Sequence, residues 1–488
     1  MVAGKKVLAA MDLARAKTFA GLASDSREVK AGFMFAAIPG TKGDGASFVG
    51  DAVARGAVAV LGRPEIAGAV NAAGVDFIPA ENPRAALAAF AAAFYGAQPA
   101  TIAAVTGTNG KTSITVFLRE IWTALGKRAA SMGTIGVVTP ERTIKLNNTT
   151  PGPIEVQKIL AEAKADGIDH LALEASSHGL DQYRLDGADI AAVGFTNLTP
   201  DHRDYHPTIE HYLNAKLRLF RDLARDGAAA VVNADVEHSE AFIAAAAERG
   251  LKLITVGVHG GGLKLAGRKP TLDGQTLDIV YAGKNYAVAL PLAGGFQASN
   301  ALVAAGLALG LGEPADGVFA ALEHLKGAPG RLEKVAVAAS GAPVFVDYAH
   351  TPDALENVLA ALRPHAARKL VAVFGCGGDR DKAKRPQMGA IAMRLADHVI
   401  VTDDNPRTED AAQIRQEILA GCPDATEIGD RADAIRTAIA ELGAGDILVI
   451  AGKGHESGQI VGATVHPFSD RDEAVKAAVK LGGREWNR

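Results

Sequence analysis

The stretch Val-Thr-Gly-Thr-Asn-Gly-Lys-Thr-Ser, residues 105–113, follows an apolar run and precedes a helix-like segment. The run Ile102 to Val105 is typical of a buried strand, and Ile114 to Leu125 is typical of a helix. A glycine loop that joins a strand to a helix and ends in Gly-Lys-Thr is how a phosphate-binding loop is built. The alternative is a plain tight turn, and Val105 stands where the usual first glycine would be. The context favours a loop that binds the phosphates of a nucleotide.

The residue types in this loop match that chemistry. Gly107 and Gly110 let backbone amides turn toward a polyphosphate, and the N-terminal end of the next helix adds positive charge. Lys111 is placed to reach the outer phosphates, and Thr112 can put its hydroxyl on Mg²⁺. The loop therefore predicts a bound polyphosphate together with Mg²⁺.

Length and composition limit the classes of protein. The chain has 488 residues, which suggests about two to four domains of ~100–200 residues each. The net charge of -4 gives no basic field for nucleic acid, so no nucleic-acid partner is expected. Cys376 and Cys422 cannot form a disulfide framework and fit a reducing cytoplasm. Met1 to Ala16 lacks a signal-peptide core, and the apolar run Ala85 to Tyr95 is too short to span a bilayer, so a cytoplasmic protein with no membrane contact is expected.

Two segments rich in glycine and proline, Gly96 to Ala100 and Gly327 to Gly330, separate three blocks. The predicted domains are residues 1–98, 99–329 and 330–488. Strand-like runs alternate with helical stretches in each block, which predicts α/β domains with parallel sheets. These runs are Ala57 to Leu61, Val75 to Ile78, Ile102 to Val105, Leu171 to Ala175, Ala191 to Thr196, Ala229 to Asn233, Val344 to Asp347, Leu370 to Phe374, His398 to Thr402 and Asp446 to Ile450.

Two stretches of the second block carry further predictions. Ile209 to Arg225 has a helical pattern. Gly257 to Leu292 is glycine-rich with short alternating runs, which predicts a small antiparallel sheet.

Polar residues follow two predicted strands of the second block. Glu174 to His178 begins with a carboxylate beside the phosphate loop, where ligands gather in α/β sheets and where Mg²⁺ finds oxygen ligands. The alternative is a helix cap built from Ser176 or Ser177. Thr196 to His206 holds two histidines and two aspartates, which favours a metal or phosphate role over a solvated loop with an aspartate cap.

Four polar loops follow the predicted strands of the third block: residues 347–350, 375–381, 403–407 and 452–456. One such loop is compatible with a capped turn, but four at the ends of one sheet predict a lined pocket. Its arginine and asparagine groups suit a substrate with carboxylate and ammonium groups.

Taken together, these motifs resemble the Mur ligases, from Asp25-Ser26-Arg27 to Gly452-Lys453-Gly454-His455-Glu456. The resemblance covers essentially the whole chain. It implies a cytoplasmic, ATP-dependent enzyme with a UDP-binding N-terminal domain, a central ATP-binding domain and a Rossmann-like C-terminal domain that binds an amino acid. Among these ligases the chain is most similar to those acting on UDP-N-acetylmuramoyl-L-alanyl-D-glutamate. Asp404-Asn405-Pro406-Arg407 resembles the version that selects meso-diaminopimelate rather than L-lysine.

The resemblance implies roles for residues at the ATP end of the site. The implied catalytic residues are Lys111, Glu174, His202 and Lys216, the last as a carbamate. The implied metal ligands are Thr112, Glu174, His202 and carbamylated Lys216. The implied ATP contacts are Thr106, Gly107, Thr108, Asn109, Gly110, Lys111, Thr112, Ser113, Asn300 on the adenine side, Arg331 and Asp347. Gln297 departs from the family pattern, in which an asparagine is frequent.

The resemblance also implies the contacts of the other two substrates. The UDP-muramoyl dipeptide is matched by Ser26, Arg27, Asn148, Thr149, Thr150, Ser176, Ser177, Gln182 and Arg184. Diaminopimelate is matched by Arg380, Asp404, Asn405, Pro406, Arg407, Gly452 and Glu456. Ala383 replaces a frequent glycine. A monomer that binds only small molecules is expected.

The implied reaction forms an acyl phosphate from ATP and the D-glutamate γ-carboxylate, which the amine of diaminopimelate then attacks. His202, His350 or a carboxylate can accept the proton of that amine. Closure of the third domain over the central one is expected to protect the acyl phosphate from water. The rivals are an L-lysine-adding or folylpolyglutamate-type ligase and, from another class, a binding protein that hydrolyses ATP as a switch.

Overall fold

A computed structural model shows three α/β regions, each with its own sheet. It describes residues 13–40, 43–202, 205–271 and 274–486. Most of the predicted N-terminal segment Met1 to Ala16 lies outside the described residues, as do Arg203 and Asp204 of the predicted polar loop. No helix in the described ranges is both long and apolar enough to cross a membrane.

The N-terminal region has a four-stranded parallel sheet with helices on both faces. Met34 and Ala36 share one core with the third helix, whereas Phe35 and Ala37 share another with the first two, because successive strand residues point to opposite faces. The strands, in sheet order, are β1 Gly21–Ala23, β2 Phe33–Ala36, β3 Ala57–Gly62 and β4 Asp76–Pro79. The helices are α1 Val49–Ala54, α2 Ala67–Ala72 and α3 Pro83–Tyr95.

The central region is built on one large sheet whose middle strands are parallel. Its strands are β5 Thr101–Thr106, β6 Ala129–Gly133, β7 Gly136–Val138, β8 Thr143–Ile144, β9 His170–Glu174, β10 Ile190–Phe195, β11 Ala224–Asn233, β12 Lys252–Gly257, β13 Leu263–Thr271, β14 Gly274–Tyr281 and β15 Lys284–Leu290. The sheet order is β15-β14-β13-β12-β11-β10-β5-β9-β6-β7-β8. The helices are α4 Lys111–Ala124, α5 Pro153–Ala165, α6 Ser177–Asp181, α7 Ile209–Arg218, α8 Ser239–Glu248, α9 Gly295–Gly310 and α10 Ala315–Leu322.

Two predictions for this region were wrong in detail. The residues from Gly257 to Leu292 do not form a separate antiparallel sheet: β13, β14 and β15 continue the large sheet, and β13 runs parallel to β12. Without β13, β12 would be an edge strand with unpaired backbone groups, and β13 hydrogen-bonds to those groups. The helix predicted to reach Arg225 ends at Arg218, continues as a π-helical turn over Leu219–Leu223, and gives way to β11.

The C-terminal region is a seven-stranded sheet of order β20-β19-β18-β21-β17-β16-β24, parallel from β20 to β17. Leu370 and Phe374 face one core and Val371 and Val373 the other, so helices cover both faces as in a doubly wound fold. The strands of the region are β16 Glu333–Val337, β17 Pro343–Asp347, β18 Leu370–Phe374, β19 His398–Val401, β20 Thr426–Glu427, β21 Ile447–Ala451, β22 Gly458–Val461, β23 Thr464–Pro467 and β24 Arg484–Glu485. Of these, β22 and β23 form a separate two-stranded antiparallel sheet. The helices are α11 Pro352–Leu362, α12 Lys384–Leu395, α13 Ala411–Leu419, α14 Arg431–Ala440 and α15 Asp470–Lys480.

The Rossmann-like C-terminal domain and the three-domain α/β class are thus confirmed. The boundaries 98/99 and 329/330 stay predictions. By backbone proximity the chain divides into two units. Unit 1 comprises Met1–Leu265, Ile279–Asn285 and Ser299–Ala321, and unit 2 comprises Ala266–Asp278, Tyr286–Ala298 and Leu322–Arg488.

Candidate active site

The predicted phosphate loop leaves the central strand of unit 1 and enters a helix, as the sequence indicates. β5 lies between β9 and β10, with Val105 opposite Glu174 and Thr106 opposite Phe195. The Thr106 hydroxyl donates to the Ala175 carbonyl at 2.9 Å, and the Thr196 hydroxyl donates to the Asn109 carbonyl at 2.6 Å. These bonds fix the loop at the carboxyl edge of the sheet, where ligands bind in parallel α/β folds.

Glycine is required at two positions of the loop. Gly110 has φ 87° at the N-terminal end of α4, and Gly107 has φ 150°. A Cβ on Gly107 would collide with the Thr196 hydroxyl, and one on Gly110 would collide with the side-chain oxygen of Asn300. The resemblance put Asn300 on the adenine side; the structure places its side chain against the phosphate loop.

Two lysines converge on one carbonyl of this loop. Lys111 Nζ donates to the Gly107 and Thr108 carbonyls at 2.7 and 2.8 Å. Lys216 Nζ, from α7, donates to the same Gly107 carbonyl at 2.8 Å. The structure therefore brings together two of the residues predicted to be catalytic.

Lys216 is 1% exposed, and its ammonium group lies 4.3 Å from the centre of the Tyr212 ring. Burial lowers the pKa of Lys216 well below its ordinary value, the nearby charge of Lys111 lowers it further, and Asp201 opposes the change. A buried amine beside another cation favours its neutral form.

Glu174 ends β9 and is 1% exposed. Its carboxylate accepts hydrogen bonds from the backbone N–H of Thr134 at 2.8 Å and from the Thr134 hydroxyl at 3.2 Å. Gly133 makes this approach possible, because a Cβ there would collide with the carboxylate. The carboxylate is thereby held beside the phosphate loop.

His202 lies in a cluster of histidines that the sequence only partly indicated. It adopts φ 52°, is half exposed, and its backbone N–H donates to Asp201 Oδ1 at 2.7 Å. His178 stacks edge-on against it at 5.0 Å between ring centres. His206 and His211 share a hydrogen bond of 2.8 Å between their Nδ1 atoms. Burial, then the charges of His211 and His178, lower the pKa of His206 to about 4.

In the described ranges, no group of three or more His, Cys, Asp or Glu side chains is arranged to hold a metal ion. The predicted ligand set contains only two residues of these types, Glu174 and His202, so the set stays a prediction. Thr112 is buried at the first turn of α4, and an unmodified Lys216 is a donor that does not suit a cation. The set fits Mg²⁺ only when Lys216 carries a carboxylate-like group.

A cavity of about 830 Å³ lies between the N-terminal and central regions of unit 1. It brings together five of the predicted substrate contacts: Ser26, Arg27, Asn148, Gln182 and Arg184. The sequence analysis missed Arg84, which also lines the cavity and donates to the Pro39 carbonyl at 2.6 Å. The sequence feature that could have identified Arg84 is a cation in the first turn of α3, where the helix dipole disfavours positive charge.

The arginines make this cavity suitable for an anion. Burial lowers the pKa of Arg184, and the charge of Arg84 lowers it further. Arg184 donates to the Thr150 carbonyl at 2.6 Å and to Gln182 Oε1 at 2.9 Å. Among the described residues no carboxylate lies within ion-pair distance of Arg84 or Arg184, although Asp25 and Asp51 also line the cavity.

The remaining predicted contacts form the wall between this cavity and Glu174. The Thr150 hydroxyl donates to the Glu174 carbonyl at 2.8 Å, and Thr149 and Thr134 share a hydroxyl contact of 3.1 Å. Ser176 caps α6 by accepting from Gly179 N–H at 3.1 Å, so the capping alternative is correct for Ser176. The Ser177 hydroxyl is buried and has no hydrogen-bond partner in the part of the chain that the structure describes.

The loops predicted to bind the amino acid lie in unit 2, and the binding role of their residues stays a prediction. Asn405 Nδ2 donates to Glu456 Oε2 at 3.0 Å, and Arg407 Nη1 donates to the Gly378 carbonyl at 2.7 Å. Gly452 has φ 120°, and a Cβ there would lie 2.7 Å from Asp404 Oδ2. The structure therefore brings together the predicted residues of three loops, including the buried Pro406.

Arg380 is the exception among these residues: it is exposed and makes no hydrogen bond or ion pair with the others in the described ranges. Burial raises the pKa of Tyr348, and the positive charges of Arg331 and Arg380 oppose that rise. Arg380 is therefore near the pocket but not fixed in it.

The two predicted ATP contacts of unit 2 are neighbours. Asp347 Oδ2 accepts from Leu332 N–H at 2.6 Å, and Oδ1 accepts from Ala349 N–H at 2.8 Å. Burial raises the pKa of Asp347 to about 6, although the charge of Arg331 opposes the rise. The Arg331 guanidinium stacks 4.6 Å from the centre of the Tyr348 ring.

Family profiles match most of the chain, in the order of the three regions. The Mur ligase family catalytic domain matches residues 18–95, the Mur ligase middle domain 105–308, and the Mur ligase glutamate ligase domain 330–454. The chain belongs to the Mur ligase family.

Particular relatives narrow this class. The chain is 58% identical over 463 residues to the UDP-N-acetylmuramoyl-L-alanyl-D-glutamate--2,6-diaminopimelate ligase of Bradyrhizobium diazoefficiens, covering 94% of each chain. It is 55% identical over 460 residues to the ligase of the same name from Chelativorans sp., covering 94% of this chain and 95% of that one. A solved structure of a ligase with that name aligns with a TM-score of 0.73 at 36% identity, over 95% of both chains.

Proposed function

We propose that the chain is an ATP-dependent amide ligase that adds meso-diaminopimelate to UDP-N-acetylmuramoyl-L-alanyl-D-glutamate during peptidoglycan precursor synthesis. The observation that carries this proposal is the 58% identity, over 94% of both chains, to a relative named for that reaction. The phosphate loop, the arginine-lined cavity and the amino-acid pocket supply one place for each of the three substrates.

The first half of the reaction joins ATP to the dipeptide. The D-glutamate γ-carboxylate attacks the γ-phosphorus of ATP, forming an acyl phosphate and releasing ADP. The two reactants are anions, so a cation must lie between them. Lys111, held over Gly107 and Thr108, is in position to supply that charge to the outer phosphates.

The second half forms the amide. The neutral amine of diaminopimelate attacks the acyl carbon, giving a tetrahedral intermediate that expels phosphate. Asn405, Arg407 and Glu456 hold the far end of the amino acid, which leaves the near amine directed at the reaction.

Carbamylation of Lys216 belongs to this proposal. The neutral amine adds to the carbon of CO₂ and loses one proton, which gives an N-carboxylate. The lowered pKa of Lys216 supports this step, because only the unprotonated amine is a nucleophile. The product is an anion. It would form where the Lys216 amine now contacts the Gly107 carbonyl and the Tyr212 ring.

Mg²⁺ is the proposed metal cofactor of this reaction. Thr112, Glu174, His202 and the carbamate of Lys216 would hold it, and Mg²⁺ when bound would neutralise phosphate charge. The support is the buried Glu174 carboxylate beside the loop and the arrangement of Lys216 over the same loop.

The cavity of unit 1 is proposed to bind the UDP-muramoyl part. Arg84 and Arg184 line it and form no ion pair with a carboxylate of the described residues, which suits the diphosphate or another anionic group of that substrate. We also propose a cytoplasmic monomer; the buried, free thiols of Cys376 and Cys422 support a reducing compartment. Light scattering of the purified chain measures its oligomeric state.

ADP release with a panel of substrates tests the function. With ATP and UDP-N-acetylmuramoyl-L-alanyl-D-glutamate present, we expect ADP only when meso-diaminopimelate is added, and much less with L-lysine. Equal release with L-lysine supports the lysine-adding alternative. Release without any amino acid, at the same rate, supports an ATP-hydrolysing switch and contradicts the proposal.

A further inference from the structure

Lys453 follows β21, is 0% exposed, and is not among the residues predicted to contact diaminopimelate. Its Nζ donates to Asn405 Oδ1 at 2.9 Å and lies 3.2 Å from Glu456 Oε2. Both partners belong to the amino-acid pocket. We propose that Lys453 is a positioning residue that sets the selectivity of this pocket by fixing Asn405 and Glu456; this rests on the proposed function.

The orientation of the Asn405 amide follows from these bonds. Its Oδ1 accepts from two donors, Lys453 Nζ at 2.9 Å and Ile460 N–H at 3.0 Å. The reversed amide would place an N–H group against both donors, which leaves buried donors unpaired and is costly. The amide nitrogen is therefore directed at Glu456 Oε2, 3.0 Å away.

The position of the Glu456 carboxylate is also fixed by Lys453. In the part of the chain that the structure describes, Lys453 is the one cation within ion-pair distance of this carboxylate. Without it, Oε2 would keep only the neutral Asn405 donor, and the carboxylate would be free to turn toward solvent or toward Arg407. A buried cation that bonds two groups at once limits both movements.

This arrangement leaves two polar atoms available to a ligand. Glu456 Oε1 has no hydrogen-bond partner among the described residues, and Asn405 Nδ2 uses one of its two hydrogens. The first can accept from an ammonium group and the second can donate to a carboxylate. An amino-acid terminus carries both groups, as the far end of diaminopimelate does, whereas the far end of L-lysine carries only the ammonium group.

The kinetic constants of Lys453→Met, measured in the full chain with each substrate varied in turn, test the proposal. Methionine keeps the length of the side chain and removes the charge and the donors. We expect the KM for meso-diaminopimelate to rise at least about 30-fold, as for the loss of a charge-assisted contact. The KM values for ATP and the UDP-dipeptide should stay within about 2-fold. The preference for meso-diaminopimelate over L-lysine should fall by about 10-fold.

A matched control separates this role from a general ion-pair effect. Lys476 pairs with Glu473 at the same three-residue spacing, 3.5 Å apart, on the exposed face of α15. Lys476→Met should leave all constants unchanged. Where Lys453→Met does not fold, as judged by its thermal transition, Lys453→Gln keeps one donor without the charge, and the same split between substrates is expected.

A double-mutant comparison adds a readout that a merely structural lysine would not change. If Lys453 acts through Glu456, the KM increase of Lys453→Met combined with Glu456→Gln is smaller than the product of the two single increases. Multiplicative effects, an equal rise in all three KM values, or an unchanged diaminopimelate KM would each overturn the proposal. A wild-type chain that needs no diaminopimelate would instead refute the function itself.

Discussion

One buried lysine, Lys216, contacts the phosphate loop, another, Lys453, contacts the predicted amino-acid pocket, and the surroundings of the two side chains are opposite. Lys216 lies against a backbone carbonyl and an aromatic ring, with the cation Lys111 on the same carbonyl. Lys453 lies against a carboxylate and a side-chain amide. Among the described residues the ammonium group of Lys216 contacts no carboxylate, whereas that of Lys453 is matched by Glu456.

The different surroundings of the two lysines indicate different roles. Burying an ammonium group without an anion is expensive, so burial lowers the pKa of Lys216 and favours the neutral amine that the proposed carbamylation needs. A buried lysine that is paired and hydrogen-bonded instead fixes its partners. Burial alone therefore does not predict the role of a lysine, whereas the presence or absence of a nearby anion does.

The largest expected effect is at Lys216. Lys216→Ala removes the amine that we propose carries the carbamate, so we expect turnover to fall by at least about 10²–10³-fold, as for the loss of an electrostatic catalytic group. Added bicarbonate should not restore activity. Lys164→Ala, at an exposed lysine of α5, is the control and should keep full turnover. Near-normal activity of a folded Lys216→Ala variant would contradict the catalytic role that distinguishes Lys216 from Lys453.

Arg407→Ala tests whether the second region serves only the amino acid. Arg407 adopts φ 52° and donates to the Gly378 carbonyl, so its guanidinium faces the loop of Arg380. Removing a charge-assisted partner of a carboxylate typically costs about 2–5 kcal/mol, so the KM for meso-diaminopimelate should rise about 10²-fold or more. The KM values for ATP and the UDP-dipeptide should change little. An unchanged diaminopimelate KM, or a wild-type preference for L-lysine, would be incompatible with the assignment.

A smaller effect is expected at Arg84, which extends the comparison to the cavity of unit 1. Arg84→Ala removes one of two cations that face that cavity, while Arg184 remains. The KM for the UDP-dipeptide should rise about 10-fold, with the diaminopimelate KM unchanged. Arg63→Ala, at an exposed arginine of the same region, should behave as wild type. If Arg84→Ala left the dipeptide KM unchanged, Arg84 would not bind this substrate.

The smallest effect concerns acid stability near Lys216. The pKa of His206 is lowered from 6.5 to about 4, so in this pH range the unfolded chain takes up a proton that the folded chain does not. The stability that His206 provides is complete above about pH 6.5 and is lost as the pH falls toward 4. Between pH 7 and 4.5 the midpoint of thermal unfolding should drop about 2 °C more in wild type than in His206→Gln. His324→Gln, at an exposed histidine, should follow wild type; an equal drop in all three would contradict the role of His206.

The strands and the phosphate loop were predictable because their signals are local. The predicted strands at Leu370 to Phe374 and Ala57 to Leu61 agree with β18 and β3 to within one residue, since apolar runs between turn residues have few alternatives. That the polar loops of the third block are neighbours also followed from local sequence, because the carboxyl ends of parallel strands meet at one edge.

The rest depends on contacts between distant residues. Lys453 and Asn405 are 48 residues apart, and Lys216 and Gly107 are 109 apart. The pattern around Lys216 is that of an ordinary helix, so its burial could not be derived, and only the family resemblance singled it out. The continuation of β13 along the large sheet was missed because periodicity shows that a strand forms, not which strand it pairs with.

Incorporation of ¹³CO₂ tests the central claim, that Lys216 is the uncharged buried lysine, most directly. Wild type, Lys216→Ala and Lys453→Met are equilibrated with ¹³C-bicarbonate and compared by ¹³C NMR. We predict one carbamate carbonyl signal in wild type, the same signal in Lys453→Met, and none in Lys216→Ala. A signal that survives in Lys216→Ala, or an active wild-type enzyme without any signal, would contradict the account.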